Sequence, residues 1–388
     1  MTMTNYDVIV VGAGPVGSTY AYKMAKQGYN VGLFDMKNRI GQPLQCAGLV
    51  STNICDTGNL PKELIENKVK GANIHSPDNT SITVKRNKSV AYVLDRVMYD
   101  KFLFNRAVDA GVEDVLGTRV IDVDLENTMI KTRERKYSSK VIAVACGPTS
   151  QTSKKINPNL DEKQFMGVQY TVKCNNEQME FVDLKINTSI LPGFLWQIPV
   201  SPFTKRVGLF TNGSYQEAEK LLKNQLKPGN EIIEKHNGLI PRFNPRKTLT
   251  YNNTLLLGDT ASQVKPTTGG GLISGFNCAE IASKNTSLML EEQNNKYIKQ
   301  YEKEYQKRYF SEFKAQQNVQ NIMSDMSEDD FNYMFKQLRE YEVDKVISEY
   351  GDMDNQVPLL KQLVKSGVIF KLVPKIGVRR LKNIWKSL

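Results

Sequence analysis

The stretch Tyr6-Asp7-Val8-Ile9-Val10-Val11-Gly12-Ala13-Gly14-Pro15-Val16-Gly17 decides the fold. Its first half is a short, β-branched apolar run, the pattern of a strand buried on both faces of a parallel sheet. The glycines after it are spaced GxGxxG. Beyond them, residues 18–27 repeat small and apolar side chains at helical spacing, and Gly28 supplies a stop. A second strand over 30–34 then ends in Asp35. Together these form one β-turn-α-β unit.

Each glycine has a mechanical task. Gly12 permits the tight turn, Gly14 lets the backbone approach a pyrophosphate, and Gly17 lets helix pack on strand. The helix N-terminus offers free N–H groups and a partial positive charge to phosphates. Gly12, Ala13, Gly14, Pro15 and Gly17 are therefore candidate cofactor-binding residues, and Asp35 is placed to accept hydrogen bonds from a ribose. Because all the parts fall in order, dinucleotide binding is preferred to a structural Gly-rich turn.

A second segment, Leu255-Leu256-Leu257-Gly258-Asp259-Thr260-Ala261, ends a buried strand in Gly-Asp far along the chain. Lys265-Pro266-Thr267-Thr268-Gly269-Gly270-Gly271-Leu272 then opens a helix. Three consecutive glycines leave backbone amides bare, suited to a phosphate or a flavin ring edge. A simple NAD domain does not need this return, so the expected cofactor is FAD.

Between these segments, residues 69–94 read as short strands with a turn at Ser76-Pro77-Asp78-Asn79. A helix is expected over 96–110, closed by Gly111, and then two or three strands ending in the apolar run 141–145. Strands over 165–174, 193–200 and 206–211, with a helix over 215–226, suggest a second lobe on an antiparallel sheet. After Leu290 only helices are read. The expected class is α/β (α+β): a discontinuous Rossmann-like FAD domain (1–150 and 251–290, with 70–94 assignable to the substrate sheet), a substrate domain (151–250) and a helical domain (291–388).

The chain has 388 residues, more than one compact domain usually holds, with 40% hydrophobic and 24% charged residues, ordinary for a folded globular protein. Its formal charge is +11. Lys361, Lys365, Lys371, Lys375, Arg379, Arg380, Lys382 and Lys386 fall in the acid-free stretch 359–388, so the rest is nearly balanced, which argues against a nucleic-acid surface. That stretch also carries Leu, Ile, Val, Phe and Trp385. As helices broken at Pro374 it would rest on anionic lipid headgroups; the alternative is a packed terminal helix with a solvated basic face. Cys46, Cys55, Cys146, Cys174 and Cys278 form no CxxC pair and no zinc spacing with the two histidines, so reduced thiols and no metal are expected. No run approaches the roughly 18 apolar residues of a membrane span, and the N-terminus lacks the basic region of a signal peptide. The expected location is cytoplasmic, peripheral on the inner face of the membrane.

The GxGxxG, the stretch Asp95-Arg96-Val97-Met98-Tyr99-Asp100 and the Gly-Asp segment resemble the FAD-binding set of the para-hydroxybenzoate hydroxylase-like flavoproteins. Within that group the chain is most similar to the archaeal geranylgeranyl reductases, which saturate the isoprenoid chains of archaeal ether lipids. The loop Gln45-Cys46-Ala47-Gly48-Leu49, the Pro266-to-Gly271 turn and the helical C-terminal lobe carry that closer likeness.

The resemblance implies that Arg96 contacts the FAD phosphate or ribitol, and Val120 the adenine through its backbone. Asp259 would take the ribitol or pyrophosphate side, and Gly270, Gly271 and Leu272 the flavin ring. Cys46, with Ala47 and Gly48, would reach the flavin, making Cys46 the candidate catalytic residue. On the residues alone, the alternatives are that Arg96 is a surface arginine at a helix start, Asp259 a helix cap and Cys46 a buried thiol. No histidine or CxxC partner marks Cys46 as a thiolate.

Gly193-Phe194-Leu195-Trp196-Gln197-Ile198-Pro199 resembles the Tyr-x-Trp-x-Phe-Pro stretch of those reductases, with Phe194 for Tyr and Ile198 for Phe. It also resembles the Trp-x-Trp-x-Ile-Pro motif of flavin-dependent halogenases. Phe194 and Trp196 are candidate substrate contacts, or plain core. The implied activity is FAD-dependent reduction of geranylgeranyl double bonds on a prenylated lipid, with a ferredoxin-like protein or NAD(P)H as electron donor. An aromatic monooxygenase or halogenase on the same scaffold, and a non-catalytic flavin-binding membrane-surface protein, are the alternatives.

Overall fold

The computed structural model describes residues 4–368. Thr4–Val11 lies in the middle of a sheet ordered Thr250–Tyr251, Thr254–Leu256, Lys136–Val144, Thr4–Val11, Val31–Phe34, Glu113–Val115. Val8, Ile9 and Val10 pair in parallel with Val141, Ile142 and Ala143 on one side and with Val31, Gly32 and Leu33 on the other. The three side chains are fully buried, which is why the second half of this strand, Val8 to Val11, is apolar at every position and does not alternate. The four parallel pairings bring Gly12, Asp35, Ala145 and Leu257 out at one carboxyl edge, where open α/β sheets form their binding crevice.

Helix Pro15–Ala25 packs against helix Leu272–Glu292, and the Tyr20 and Thr286 hydroxyls meet across that seam at 2.8 Å. Helix Arg96–Asp109 starts where expected: the Asp95 side chain caps it by accepting from the Met98 N–H at 3.0 Å.

The second sheet departs from expectation in two ways. It has seven strands, ordered Glu231–Pro241, Gln164–Lys173, Thr204–Thr211, Leu195–Ser201, Phe181–Lys185, Gly71–His75, Ser81–Lys85. It is not wholly antiparallel, because Gly71–His75 runs parallel to Phe181–Lys185. Of the early strands, only Gly71–His75 and Ser81–Lys85 join it, while Ala91–Leu94 pairs with Leu49–Ser51 and Ile65–Val69 in a separate small sheet. Secondly, Phe181–Lys185 and Glu231–Pro241 were not foreseen. The latter carries Glu231, Glu234 and Lys235, so its composition does not read as a strand; pairing along Gln164–Lys173 makes it one. One face of the sheet buries Val168, Tyr170, Leu195 and Leu209 beneath helix Tyr215–Lys223. The opposite face is left to line a cavity.

After Leu290 the described residues are helical apart from connecting turns. Lys296–Ser324 is tied to the first sheet by the Tyr301 hydroxyl, which donates to the Leu256 carbonyl at 2.8 Å. Phe331, Phe335, Leu338 and Val343 pack on Ile82 and Ile186 at the edge of the second sheet. Arg86 reinforces that junction by donating to the carbonyls of Ser348, Glu349 and Gly351. Of the basic stretch 359–388, residues 359–368 include the end of helix Val357–Lys365; Pro374, Trp385 and the remaining basic residues lie outside the described residues. No described helix is long and apolar enough to cross a membrane.

Phe331 is fully buried where the helical lobe meets the sheet. Phe331→Ala is expected to cost about 3–5 kcal/mol in chemical denaturation. Faster hydrogen exchange should be concentrated in Glu328–Glu340 and Val343–Tyr350.

Candidate active site

At the first turn the backbone is held by packing. Gly12 has φ +108°, and a β-carbon there would overlap the carbonyl of Ala145. A β-carbon on Gly17 would overlap the Gly12 carbonyl. Gly14, in contrast, has open space in front of it. The Ala13 N–H donates to Asp35 Oδ2 at 2.8 Å, and Asp35 Oδ1 accepts from the Lys37 N–H, which fixes the carboxylate at the strand end.

The distant Gly-Asp segment arrives beside this turn because Thr254–Leu256 pairs with Ile142–Val144. Gly258 and Gly275 both sit against the Val16 side chain. The glycine triplet that follows is strapped from behind: the Lys265 ammonium pairs with Asp354 Oδ1 at 2.9 Å, Ser51 and Asn53 bind the other Asp354 oxygen, and Thr267 bonds Gln356. Glu312 accepts from the Gln356 and Val357 N–H groups and completes the strap.

These parts enclose one cavity of about 2220 Å³. A pocket for a single small ligand holds about 300–1,000 Å³, so this one has room for a dinucleotide and a second long molecule. Gly12, Ala13, Gly14, Pro15, Asp35, Cys46, Ala47, Arg96, Val120, Asp259, Gly270, Gly271, Leu272, Phe194 and Trp196 all line it. Two expected residues do not. Gly17 lies behind the wall, in the helix–strand contact just described. Gly48 (φ +75°) is buried; its N–H faces Cys46 Sγ at 3.4 Å and its carbonyl accepts from the Leu94 N–H. It shapes the loop and does not face the cavity.

Arg96 is buried, with Nε and Nη2 on Asp100 at 3.0–3.2 Å. Burial opposes its charge, but the Asp100 carboxylate, and to a lesser degree the Cys46 thiol, hold its pKa above the usual arginine value. It is therefore a fixed cation and not a surface arginine. Asp259 lines the cavity and is exposed to it. Desolvation pushes its pKa up to about 6, against the downward pull of Arg96. Its cavity-facing side still meets solvent, and a bound ligand would complete the desolvation. Cys146, at the end of strand Lys136–Val144, lines the same crevice; burial pushes its thiol up, with hydrogen bonds to Ser150 and Thr260 opposing.

Sequence reasoning missed the side chain that ties the Cys46 loop to the second sheet. Arg206, buried on Thr204–Thr211, donates to the Ala47 and Leu94 carbonyls at 3.0 and 3.1 Å and pairs with Glu66 at 2.7 Å. Burial raises the Glu66 pKa, and Arg206 opposes the rise. An alternating strand offers no sign that one of its arginines points inward. Only the pairing partners give it away.

A GxGxxG turn, a returning Gly-Asp strand and a glycine cradle on one cavity define a flavoprotein of the FAD-dependent oxidoreductase class. The fold agrees: a geranylgeranyl bacteriochlorophyll reductase-like protein from Thermoplasma acidophilum superposes with TM-score 0.85 at 22% identity, covering 100% of both chains. A flavin-dependent brominase gives 0.67 at 17% identity, covering 95% of this chain and 100% of that one. The family model described as Lycopene cyclase protein matches residues 7–328. A digeranylgeranylglycerophospholipid reductase from Methanococcus vannielii is 30% identical over 323 residues, covering 76% of this chain and 81% of the relative. One from Methanocaldococcus jannaschii is 28% identical over 362 residues, covering 86% and 91%. The chain belongs to the family of that model and, within its relatives, to the digeranylgeranylglycerophospholipid reductases.

Two predictions test the site without substrate. Gly14→Ala is expected to leave the thermal midpoint of the ligand-free protein unchanged and to raise the FAD dissociation constant at least about tenfold, since its methyl group enters the space a pyrophosphate needs. Gly17→Ala is expected to lose roughly 1–3 kcal/mol of stability through overpacking. The second concerns pH. A carboxyl protonating more readily folded than unfolded adds stability below its unfolded value of 3.8, and loses that contribution as pH rises through about 6. Ligand-free Asp259→Asn is therefore expected to be more stable than the parent at about pH 8 and to have no such advantage at about pH 4.

Proposed function

We propose that this protein is an FAD-dependent reductase that saturates carbon–carbon double bonds of geranylgeranyl chains in archaeal-type membrane ether lipids or their precursors. The observation that carries the reading is the continuity of one cavity. It runs from the dinucleotide turn, past the glycine triplet, to an apolar wall of Phe194, Trp196, Ile198, Val182 and Leu184. The names of the family relatives point to the same substrate class.

The residues present fit FAD. The open face of Gly14 and the N-terminus of helix Pro15–Ala25 receive the pyrophosphate. Asp35 takes the adenosine ribose, and the Val120 backbone lies beside the adenine. Arg96, held by Asp100, supplies positive charge on the ribitol–phosphate side, and Asp259 hydrogen-bonds there. The bare amides of Gly270, Gly271 and Leu272 face the flavin ring, opposite the loop of Cys46 and Ala47. When bound and reduced, FAD supplies the hydride.

The protein supplies the rest. An isolated trisubstituted alkene has no carbonyl to polarise it, so the site works by proximity, exclusion of water and a placed proton. Phe194 and Trp196, with ring centroids 6.1 Å apart, form the wall along which the chain lies. Cys46, on the loop facing the flavin, contacts the reacting end. A ferredoxin-like protein or NAD(P)H returns electrons. The basic tail beyond residue 358 rests on anionic headgroups at the inner face of the membrane, which delivers an insoluble substrate.

Purified anaerobically, reduced chemically and supplied with a geranylgeranylated ether lipid, the protein is expected to add mass in steps of two hydrogens. Rapid turnover of a small phenol or indole with oxygen, and none of the lipid, would instead select the monooxygenase reading. Cys46→Ser is expected to keep its FAD and turn over at least about tenfold more slowly; an unchanged rate removes Cys46 from the reaction.

A further inference from the structure

The cavity wall opposite the dinucleotide crevice is one face of the seven-stranded sheet. A row of residues crosses it. Trp196 pairs with Gly208, Gly208 with Gln169, and Gln169 with His236. The indole lies across Gly208, where a β-carbon would strike it, and its Nε1–H donates to Gln169 Oε1 at 3.0 Å. His236 ends the row.

Its side chain is 11% exposed and lines the cavity, the single histidine among the described residues to do so. Nε2 lies 3.2 Å from Glu234 Oε2 and 3.4 Å from Thr171 Oγ1. Nδ1 has no hydrogen-bond partner among the described residues. Glu234 is 58% exposed and so faces solvent. Arg206 and Thr171 stand in the next row on the same face, and Glu66 lies close enough for its carboxyl to sense Glu234. The strand then runs past both segments that flank the flavin in the proposed reading: Gly238 packs on Gln45, and Ile240 on Gly269. At about 3.3 Å per residue, His236 stands roughly 7 Å along the strand from the Gln45 contact.

We infer that His236 is the proton donor of the alkene reduction, and that Glu234 is its positioning residue. The assignment rests on the reductase reading above. In each step the carbon–carbon π bond is lost and two C–H bonds form. One carbon receives hydride from the reduced flavin, which becomes oxidised. The other receives the proton of the His236 imidazolium. Neutral His236 keeps its Nε2 proton toward Glu234 and regains a proton at Nδ1 from solvent in the cavity between turnovers, and the electron donor would return two electrons to the flavin. Glu234 on Nε2 fixes the ring, and Nδ1 is left without a partner among the described residues, in a side chain that lines the cavity. Cys146 does not compete for this role, because it lies in the dinucleotide crevice, bonded to Ser150 and Thr260.

The test uses the full-length holoenzyme, with the parent protein, H236Q, H236N and E234Q compared on geranylgeranylated lipid. H236Q and H236N are expected to retain FAD and lower kcat by about 100-fold or more with little change in KM. E234Q is expected to lower kcat about tenfold, with partial rescue in E234D. A readout independent of turnover is the imidazole NMR of the oxidised holoenzyme. Resonances absent from H236Q are expected to move when a saturated phytanyl lipid is added, while those of His75 stay put. Turnover of both histidine variants within about threefold of the parent overturns the assignment, as does an unmoved His236 resonance. Loss of FAD by both variants would assign His236 to cofactor support and overturns it too. A parent protein that holds FAD but saturates nothing removes the reductase reading, and the donor role with it.

Discussion

Thr254, Leu255 and Leu256 run parallel to Ile142, Ala143 and Val144, and through that short pairing a segment far down the chain reaches the first turn. Everything at the site depends on it. Without it, Asp259 and the glycine triplet have no fixed relation to Gly12 and Gly14, and Arg96 has no carboxylate facing it across the cavity. The pairing is anchored on three sides. Leu255, Leu256 and Leu257 are fully buried, Tyr301 of the long C-terminal helix caps the Leu256 carbonyl, and Gln263 holds both the Tyr301 hydroxyl and the Gly258 N–H. A helix that reads as an appendage in the sequence thus clamps the strand that closes the site.

Charge inside the cavity is arranged around fixed dipoles and two buried cations. Arg96 is neutralised by Asp100 on its own helix, one turn away, and so stays charged while buried. Arg206 is neutralised by Glu66 and two carbonyls. Each arginine holds one boundary: Arg96 the dinucleotide side, Arg206 the seam between the Cys46 loop and the second sheet. Asp259 is left short of solvation, so a ligand bringing hydroxyl donors meets a carboxylate that gains by accepting them.

The parallel sheet was legible because its central strands end in apolar runs and its first turn is made of glycine, and both signals are local. The helix Arg96–Asp109 was legible with its stop at Gly111. What the sequence hid depends on distant pairing. Glu231–Pro241 is charged at several positions and becomes a strand only along Gln164–Lys173, so the one cavity-facing histidine sat in a segment assigned no structure. The parallel joining of Gly71–His75 to Phe181–Lys185 crosses between lobes, and periodicity cannot report a partner. Gly48 was expected at the flavin because it follows Cys46 and Ala47, yet a positive φ turns it into the protein against Arg206.

The aromatic stretch explains why the chemistry would need help from elsewhere on the sheet. Phe194 carries no hydroxyl, so this position can wall the chain but cannot give it a proton. Phe194 packs on Phe210 with ring centroids 5.1 Å apart, which makes that end of the wall purely apolar. Beside it, Gly167 and Gly238 face each other across neighbouring strands and form a shallow trough, over which the Ile240 and Gln45 side chains lie. The next row along the trough is the first to hold polar atoms, and there Trp196, Gln169 and His236 are linked by pairing and hydrogen bonds. Polarity therefore begins one row away from the apolar end.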